Sequence, residues 1–220
     1  MSPRITFEHE LEELKQSVTD MGIRVETLYE NLFRALDEKD KESVETILKS
    51  DRIINDMQRS IEAQCLSLIT KQHPIASDLR MVTAALKVVT DMERIGDHIS
   101  DMAELFIRLG LPELSEFSTS LTEMAEAAKH MVQIAVDAFV SRNQEGAKEA
   151  IKQDDIVDDL FNRVKEDLIY LLKEEKKSAD DCVDVLMITK YLEKIGDHAV
   201  NIGEWEIFRE TGIIKDKVLL

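Results

Sequence analysis

A nine-residue stretch occurs twice in this chain, one hundred residues apart, and its duplication limits the possible folds. The copies are residues 93–101, ERIGDHISD, and residues 193–201, EKIGDHAVN. Each copy has Glu at its first position, Asp at its fifth and Asp or Asn at its ninth. On a helix, like charges four residues apart lie on one side and destabilise the helix unless they are neutralised. The repeat therefore predicts two copies of one helical unit, each with an acidic stripe that needs a counter-charge.

Apolar residues recur at spacings of three and four along almost the whole chain, which predicts six long helices. The sixth helix repeats the apolar seam of the third at an offset of 100, and the fifth repeats the second at an offset of 103. A polar turn, prolines, glycines and Ser or Asn caps mark the boundaries. The expected helices are about residues 6–36, 41–71, 74–109, 112–141, 143–177 and 178–208.

The third helix has the longest seam, nine apolar residues in heptad spacing: Met81, Ala85, Val88, Met92, Ile95, Ile99, Met102, Phe106 and Leu109. Short turns between the helices indicate antiparallel neighbours, so each half is expected to fold as an up-down-up bundle. The predicted fold class is all-α, with two tandem three-helix bundles. The first unit is expected to cover residues 1–110, the second residues 111–209, and a short tail residues 210–220.

The composition agrees with a helical globular protein and excludes some functional classes. Hydrophobic residues make up 44% and charged residues 33%, whereas aromatic residues are only 5%, which disfavours a β-sandwich. A net charge of −17 would repel a phosphate backbone, so nucleic acid is not an expected partner. Cations or a basic surface on a partner are favoured instead, although an acidic surface also simply keeps a protein soluble.

The cysteines and the N-terminal residues are typical of a cytoplasmic protein. Cys65 and Cys182 lie far apart in apolar helical patterns, as reduced core cysteines do. No apolar segment follows Met1, and no stretch reaches the roughly 18 uncharged apolar residues of a membrane span. We therefore expect neither a signal peptide nor a direct membrane span, so any role at the membrane requires a partner protein.

Acidic residues interrupt the apolar seams of the second and fifth helices at equivalent positions, Asp51 and Asp154. Neither has a Lys or Arg three or four residues away, and an unpaired desolvated carboxylate is costly. Further polar residues follow each of them: Asn55 and Asp56 in the first repeat, and Asp155, Asp158 and Asp159 in the second. We expect each group to face the acidic stripe of the next helix.

Oxygen ligands that converge from two helices are a common way for helical bundles to hold metal ions. Carboxylates favour hard cations such as Mg, Ca, Mn or ferric iron. Gly96 and Gly196 each cost about 1 kcal/mol relative to Ala in mid-helix, so they indicate close backbone approach or access for an ion. His98 and His198 lie about 100° round the helix from the central Asp. Each is open as a metal ligand or as an ordinary surface or capping residue.

The alternative interpretation of each stripe is a solvated acidic face. Arg94 and Lys194 each precede the central Asp of their motif by three residues, and Lys190 precedes Glu193 by three. These cations can neutralise the stripe without a metal. Duplication of the whole pattern, including its mid-helix glycines, favours the metal site over the solvated face.

The duplicated Glu-x-Ile-Gly-Asp-His motif and the stretch PIASDLR at residues 74–80 resemble the PhoU family of phosphate-transport regulators. The resemblance covers essentially the whole chain, in order and in repeat length. It implies two tandem three-helix bundles whose E/D-x-x-x-D motifs bind multinuclear iron or other metal clusters. It also implies a cytoplasmic protein, often a homodimer, that represses the phosphate starvation response. Such a protein links the high-affinity phosphate ABC transporter, at its cytoplasmic ATPase side, to a membrane sensor histidine kinase.

Carried over to this chain, the resemblance implies a set of metal-binding residues. The acidic candidates are Glu93, Asp97, Asp101, Glu193, Asp197, Asp51, Asp154, Asp155, Asp158 and Asp159, and the weaker candidates are Asn55, Asn201, His98 and His198. The expected cofactor is iron or another hard divalent or trivalent cation, with Zn, Mn and Mg as alternatives. Asn201 stands where the first repeat has Asp101, and Asn55 where the second has Asp158. The two sites are therefore expected to differ in occupancy or nuclearity.

Three functions remain open at this point. A non-enzymatic regulator that binds partner proteins and metal agrees best with the resemblance. A di-metal carboxylate enzyme is disfavoured, because no Glu stands three residues before any of the five His. A metal-free helical adaptor would explain the seams alone. The negative charge and the lack of a phosphate-binding loop argue against direct phosphate sensing.

Overall fold

The computed structural model describes the backbone of residues 3–72, 74–214 and 217–218, and the side chains of residues 7–50, 52–71 and 74–214. Its helices are α1 (Pro3–Asp37), α2 (Lys41–Gln72), α3 (Ser77–Arg108), α4 (Thr119–Ser141), α5 (Gln144–Lys173) and α6 (Ala179–Thr211). A single 3-10 turn, Leu114–Glu116, precedes α4, and the two-residue strands β1 (Ile213–Ile214) and β2 (Lys217–Val218) pair antiparallel after α6. The predicted fold class, all-α with two tandem three-helix bundles, is confirmed.

Helices α1, α3 and α5 end in the same way, with a residue of positive φ two positions beyond the last helical residue. The following N–H group bonds to a carbonyl of the last turn at 2.8–3.0 Å, in the pairs Asp40–Ala35, Leu111–Phe106 and Lys176–Leu171. This pattern is a Schellman motif, which usually requires Gly. Gly110 fulfils that expectation, whereas Lys39 and Glu175 adopt the same left-handed conformation without being Gly. The predicted extension of α5 to Lys177 is therefore wrong, because the helix ends at Lys173.

The predicted caps of α5 and α6 are confirmed. Asn143 Oδ1 accepts a hydrogen bond from the Gly146 N–H (3.1 Å), and Ser178 Oγ accepts one from the Asp181 N–H (3.0 Å). Each bond satisfies an amide group that the first helical turn leaves unpaired.

Neither of the two prolines expected to begin a helix does so. α3 begins at Ser77 rather than Pro74, because the intervening Ala76 has a φ of +46° and cannot be part of a helix. α4 begins at Thr119, since the segment after Pro112 forms the short 3-10 turn.

The two bundles share one hydrophobic core. Helices α3 and α6 pack side by side through its middle, and α1 contacts α4. The buried Tyr29 of α1 donates its hydroxyl to the carbonyl oxygen of Ala125 in α4 (2.7 Å). Gly22 on α1 lies so close to α4 that a Cβ atom there would be 2.5 Å from Cγ1 of Val136. The repeats are therefore joined by continuous packing.

The predicted apolar seams line this core. The seam of α3 is buried from Met81 to Phe106, and only Leu109 at its end is partly exposed. Cys65 and Cys182 are buried free thiols, as expected, and burial raises the pKa of Cys65 to about 12. Among the described residues, no helix is both long enough and apolar enough to cross a bilayer.

Candidate carboxylate site

Gly96 and Gly196 set the register between the helices that carry the predicted site. A Cβ atom on Gly96 would lie 3.2 Å from Cγ2 of Ile54 in α2. One on Gly196 would lie 3.4 Å from Oδ1 of Asp154 and 3.5 Å from Cγ1 of Val157 in α5. Ile54 and Val157 are equivalent positions of the two repeats. The same close approach therefore joins α3 to α2 and α6 to α5, which explains why both motifs contain a mid-helix Gly.

In the second repeat, carboxylates from α5 and α6 lie close enough to repel one another. The pKa of Asp154 is raised to about 6, first by burial and then by the negative charges of Asp158, Asp197, Asp155 and Glu193. The pKa of Asp158 is also raised, by burial and then by the charges of Glu193 and Asp197. The two acidic rows expected in this repeat thus face each other. We call Asp154, Asp158, Glu193 and Asp197 the α5–α6 quartet.

Two lysines of α6 neutralise the acids on their own helix. Lys190 Nζ donates a hydrogen bond to Glu193 (2.5 Å). Lys194 Nζ donates to Asp197 and lies 3.4 Å from Glu193. The bond to Asp197 is the main reason that the pKa of Lys194 is raised. The counter-charges proposed from the sequence are therefore present on α6.

The α5 half of the quartet has no such partner. Among the described side chains, no Lys, Arg or His nitrogen lies within 4.0 Å of the carboxylates of Asp154 or Asp158. Asp155, Asp158 and Asp159 are exposed on this helix, whereas Asp154 is half-buried. The charge of Asp154 is the least compensated of the quartet, because the positive charge of Lys190 partly offsets that of Asp158.

In the first repeat, one arginine replaces the two lysines. Arg94 Nη1 donates a hydrogen bond to Asp97 (3.1 Å), and its Nε lies 3.5 Å from Glu93. The guanidinium is therefore positioned to neutralise Glu93 and Asp97, as expected if the stripe is a solvated acidic face with its own counter-charge.

The α2 side of this repeat is less acidic than its α5 counterpart. Asp51 lies in α2, but its side chain is outside the described part of the structure. Asn55 is half-buried beside the α2–α3 contact. Asp56 is exposed and pairs with Arg52 (3.9 Å) and Arg59 (3.5 Å) on its own helix.

The side chain at the ninth position of each motif does not lie on the carboxylate face. Eight residues rotate a helix by two full turns plus about 80°, so these side chains turn towards the contact between α3 and α6. Asn201 Nδ2 donates to Asp91 Oδ1 (3.1 Å), and Asp101 forms a hydrogen bond with Tyr191. Asp91 and Tyr191 are equivalent positions, so the two bonds are related by the repeat.

His98 and His198 belong to the same α3–α6 contact. Their ring centroids are 5.6 Å apart, and His98 stacks on Tyr191 at 5.4 Å. His198 Nδ1 lies 2.8 Å from Asp91 Oδ1. Burial lowers the pKa of His98 to about 4, so this ring is neutral at pH 7. Both rings therefore face the other repeat.

The donor set suits a hard cation, but the described side chains do not form a ready metal site. They include no group of three or more His, Cys, Asp or Glu residues placed to hold a metal ion. Lys190 and Lys194 lie where a metal would supply positive charge to Glu193 and Asp197. Metal binding stays a prediction.

Sequence reasoning missed the buried polar groups between the repeats. Asp91 accepts from both Asn201 and the His198 ring, and Glu206 forms a buried ion pair with Arg209 (2.6 Å). The repeat contained a signal for the first group, because Asp91 precedes His98 by seven residues, or two helical turns.

Comparisons with known proteins agree with this architecture. A family model described as the PhoU domain matches residues 18–106 and 121–205. A phosphate-specific transport system accessory protein PhoU homolog from Clostridium acetobutylicum is 38% identical over 210 residues, which are 95% of this chain and 96% of the relative.

Two solved structures have the same fold over nearly the whole chain. The crystal structure of PhoU from Pseudomonas aeruginosa has a TM-score of 0.88 and 30% identity, and the match covers 94% of this chain and 100% of that one. The phosphate transport system regulatory protein PhoU from Streptococcus pneumoniae has a TM-score of 0.86 and 29% identity, and the match covers 96% and 100%.

Proposed function

The chain belongs to the PhoU family, and we propose that it is a cytoplasmic regulator of phosphate uptake and homeostasis that represses the phosphate starvation response. The observation that carries this proposal is the match of the family model to both repeats. The printed names of its relatives, an accessory protein and a regulatory protein of phosphate transport, support the same role.

The proposed partners are the cytoplasmic ATPase side of the phosphate ABC transporter and a sensor histidine kinase. A chain with a net charge of −17 favours basic docking surfaces on such partners. The regulator is proposed to act as a homodimer and to reach the membrane only through these partners.

The proposed role is non-enzymatic. Glu193 and Asp197 are engaged by lysines, and the motif histidines face the other repeat rather than the quartet. A catalytic site would need a base or nucleophile with access to substrate. Regulation through partner binding needs only the surface that these charges form.

Metal binding is proposed for the α5–α6 quartet. Burial and, after it, mutual repulsion of the carboxylates raise the pKa of Asp154, and a hard cation would offset both effects. The cation would take over Glu193 and Asp197 from the two lysines and add Asp154 and Asp158 as further oxygen ligands. The first repeat is less acidic on α2 and is proposed to bind more weakly. A bound cation would supply positive charge that fixes the surface presented to partners.

Deleting the gene in its host tests the regulatory role. A phosphate-starvation reporter should be active in rich phosphate in the deletion strain and silent again when the gene is restored on a plasmid. Reporter activity that stays repressed in the deletion strain would sink the proposal.

A metal-free adaptor is the second candidate, favoured by the lysine and arginine pairs that already neutralise Glu193, Asp197 and Asp97. Elemental analysis of protein purified without a His tag separates the two candidates. The first requires stoichiometric metal, whereas an adaptor should contain none.

A further inference from the structure

A second polar feature lies at the end of the molecule where α1 and α3 begin and α4 and α6 end. A cavity of about 290 Å³ there is lined by four basic residues, Lys15, Arg80, Arg142 and Arg209. Four basic side chains around one cavity are unexpected in a chain with 45 acidic and 28 basic residues. We call this cavity the Arg pocket.

Arg209 is the fixed element of the Arg pocket. It is only 4% exposed, and its guanidinium stands 4.9 Å over the ring of Phe139. Nη1 donates to the carbonyl oxygen of Phe139 (2.8 Å), and Nη2 donates to Glu206 (2.6 Å). Nε has no hydrogen-bond partner and lies 3.6 Å from Glu210. A buried donor left in this state is costly. Oε2 of Glu206 on the same helix is likewise buried without a hydrogen-bond partner.

Arg80 and Arg142 supply two further guanidinium groups. Nε of the half-buried Arg80 donates to the backbone carbonyl oxygen of Arg209 (3.1 Å), which leaves its terminal nitrogens for another acceptor. Arg142 is exposed. Burial of Arg209 is the main cause of its lowered pKa, and the positive charge of Arg142 lowers that pKa further, so the two cations lie close together. Among the described side chains, neither Arg80 nor Arg142 has a carboxylate within 4.0 Å. Guanidinium forks match the oxygen spacing of phosphate and carboxylate groups.

The N-terminus of α3 adds backbone donors to the same cavity. Ser77 and Asp78, the first residues of the helix, line the pocket, and the residue before them provides no side-chain cap. The Asp78 N–H bonds to the carbonyl oxygen of Ile75 (3.1 Å), which leaves the N–H group of Ser77 and the positive end of the helix dipole to favour an anion at this position.

Acidic residues also line the pocket, but mainly at its rim. Glu8, Glu12, Asp78 and Glu210 balance the four bases, so the local formal charge is zero against −17 for the chain. Three of the four, all but Asp78, are exposed, whereas the bases Arg209 and Arg80 are buried and half-buried. Arg142 is exposed like these acids, and Lys15 pairs with Glu12 (3.5 Å). The inner wall therefore presents Arg80 and Arg209 to an entering anion, beside the half-buried Asp78.

We propose that the Arg pocket binds a tetrahedral oxyanion of the phosphate type. The anion accepts hydrogen bonds from the free edges of Arg80 and Arg142 and from the N–H group of Ser77 at the start of α3, with Arg209 as the rigid wall behind them. The pocket is assembled from helices far apart in sequence, so no contiguous phosphate-binding loop could have revealed it. The site is independent of the partners and of the metal proposed above.

Isothermal titration of the full chain with inorganic phosphate, at constant ionic strength maintained with chloride, tests the proposal. The expected result is saturable binding at one site per chain. Arg142→Gln should weaken it by at least about tenfold, because one charge-assisted contact is lost. Arg163→Gln is the matched control: it removes an exposed arginine of α5 and should leave the affinity unchanged. Gln keeps the unbranched side chain at the left-handed backbone of residue 142.

Parallel titrations with sulfate and with ATP identify the source of the anion. If inorganic phosphate binds as tightly as ATP does, the site is assigned to the free ion. If ATP binds and inorganic phosphate does not, the site is assigned to the phosphoryl group of a larger molecule. Either result supports the site only if Arg142→Gln weakens it and Arg163→Gln does not. The absence of saturable binding for every anion, or equal affinities of the two variants, overturns the proposal. The reporter test of the regulatory role is unaffected by either outcome.

Discussion

Asp154 shows most clearly how a single residue responds to the packing of the repeat. It interrupts an apolar seam of α5, lies against Gly196 of α6 and has a pKa raised to about 6. The neighbouring acids on α6 have lysine partners, but Asp154 has none among the described side chains. Its charge at neutral pH is therefore a source of strain that a cation or a proton would relieve.

The raised pKa of Asp154 gives a pH-dependent prediction. The folded state holds this proton more tightly than the unfolded state, whose pKa is near 3.8. The stability that the proton contributes is therefore complete below about pH 4 and is lost as the pH rises through about 6. Asp154→Asn cannot ionise, so its melting temperature relative to the wild type should increase between pH 4 and pH 7.5 in metal-free buffer. Because the residue is partly exposed, screening limits the gain to under about 1 kcal/mol, or about 2–4 °C.

The control for this measurement is Asp159→Asn, which makes the same change on the exposed side of α5. Its melting temperature should follow the wild type at every pH. A difference between Asp154→Asn and the wild type that is constant across the pH range would contradict the proposed repulsion.

Single residues were predictable where they broke a pattern. Asp154 was found because an acid stands in an otherwise apolar seam, and Gly196 because Gly is costly in mid-helix. The spacing of Asp91, two helical turns before His98, places both on one side of α3, but nothing in this segment indicates that α6 provides the hydrogen-bond donors of Asp91. That contact depends on how the repeats pack, which no local pattern encodes.

Between elements, α1 and α4 approach each other closely at Gly22. Gly22 has no side chain in the space that Val136 Cγ1 occupies, at 2.5 Å from a hypothetical Cβ atom. The packing of α1 against the second repeat therefore depends on Gly at this position.

Gly22→Ala should destabilise the protein despite the better helix propensity of Ala. Overpacking typically costs about 1–3 kcal/mol, against a propensity gain of about 1 kcal/mol. The check is urea unfolding of Gly22→Ala, of Val136→Ala and of the double variant. The double variant should recover stability relative to the sum of the single changes, because the obstructing methyl groups are gone. Additive effects would show that α1 and α4 are not in the described contact.

Element types were predictable from periodicity, but some boundaries were not. The end of α1 was expected at about residue 36 and lies at Asp37, whereas α5 ends at Lys173 rather than Lys177. Glu175 there adopts a left-handed conformation that Gly normally adopts, so composition gave no signal for the motif. Pro112 was expected to open α4, yet the chain first makes a 3-10 turn and uses Ser118 as the helix cap. The 3-10 segment before α4 buries Leu114 and Phe117 in the core, a tertiary contact that the local sequence does not specify.

For the whole molecule, the repeat predicted the architecture because each copy of the motif positions two helices against each other through a Gly. The same symmetry did not predict the joining of the bundles, where α3 and α6 share one core. The carboxylate rows were predicted to face each other, and in the second repeat Asp154 lies near the acids of α6 as expected. The side chain at the ninth motif position instead points to the contact between α3 and α6.

Metal binding to the quartet predicts a change in global stability. A ligand that binds only the folded chain, at one hundred times its Kd, adds about 2.7 kcal/mol. For a chain of this size, that corresponds to a rise of about 5–10 °C in Tm. Thermal melting of chelator-treated protein, before and after reloading with iron or manganese, measures it. The rise should be much smaller in Asp154→Asn/Asp197→Asn, and an unchanged Tm in fully loaded wild type would contradict a stabilising role for metal.

The most direct test of whether the carboxylate face carries the regulation is complementation of the deletion strain. One plasmid carries Asp154→Asn/Glu193→Gln/Asp197→Asn, and a matched plasmid carries three neutralised exposed acids of α5, Glu145→Gln/Glu149→Gln/Glu166→Gln. Protein levels are equalised by immunoblot, and the phosphate-starvation reporter is measured in rich phosphate. We predict that the control variant silences the reporter as the wild type does, whereas the quartet variant leaves it active. Full silencing by the quartet variant would contradict the account.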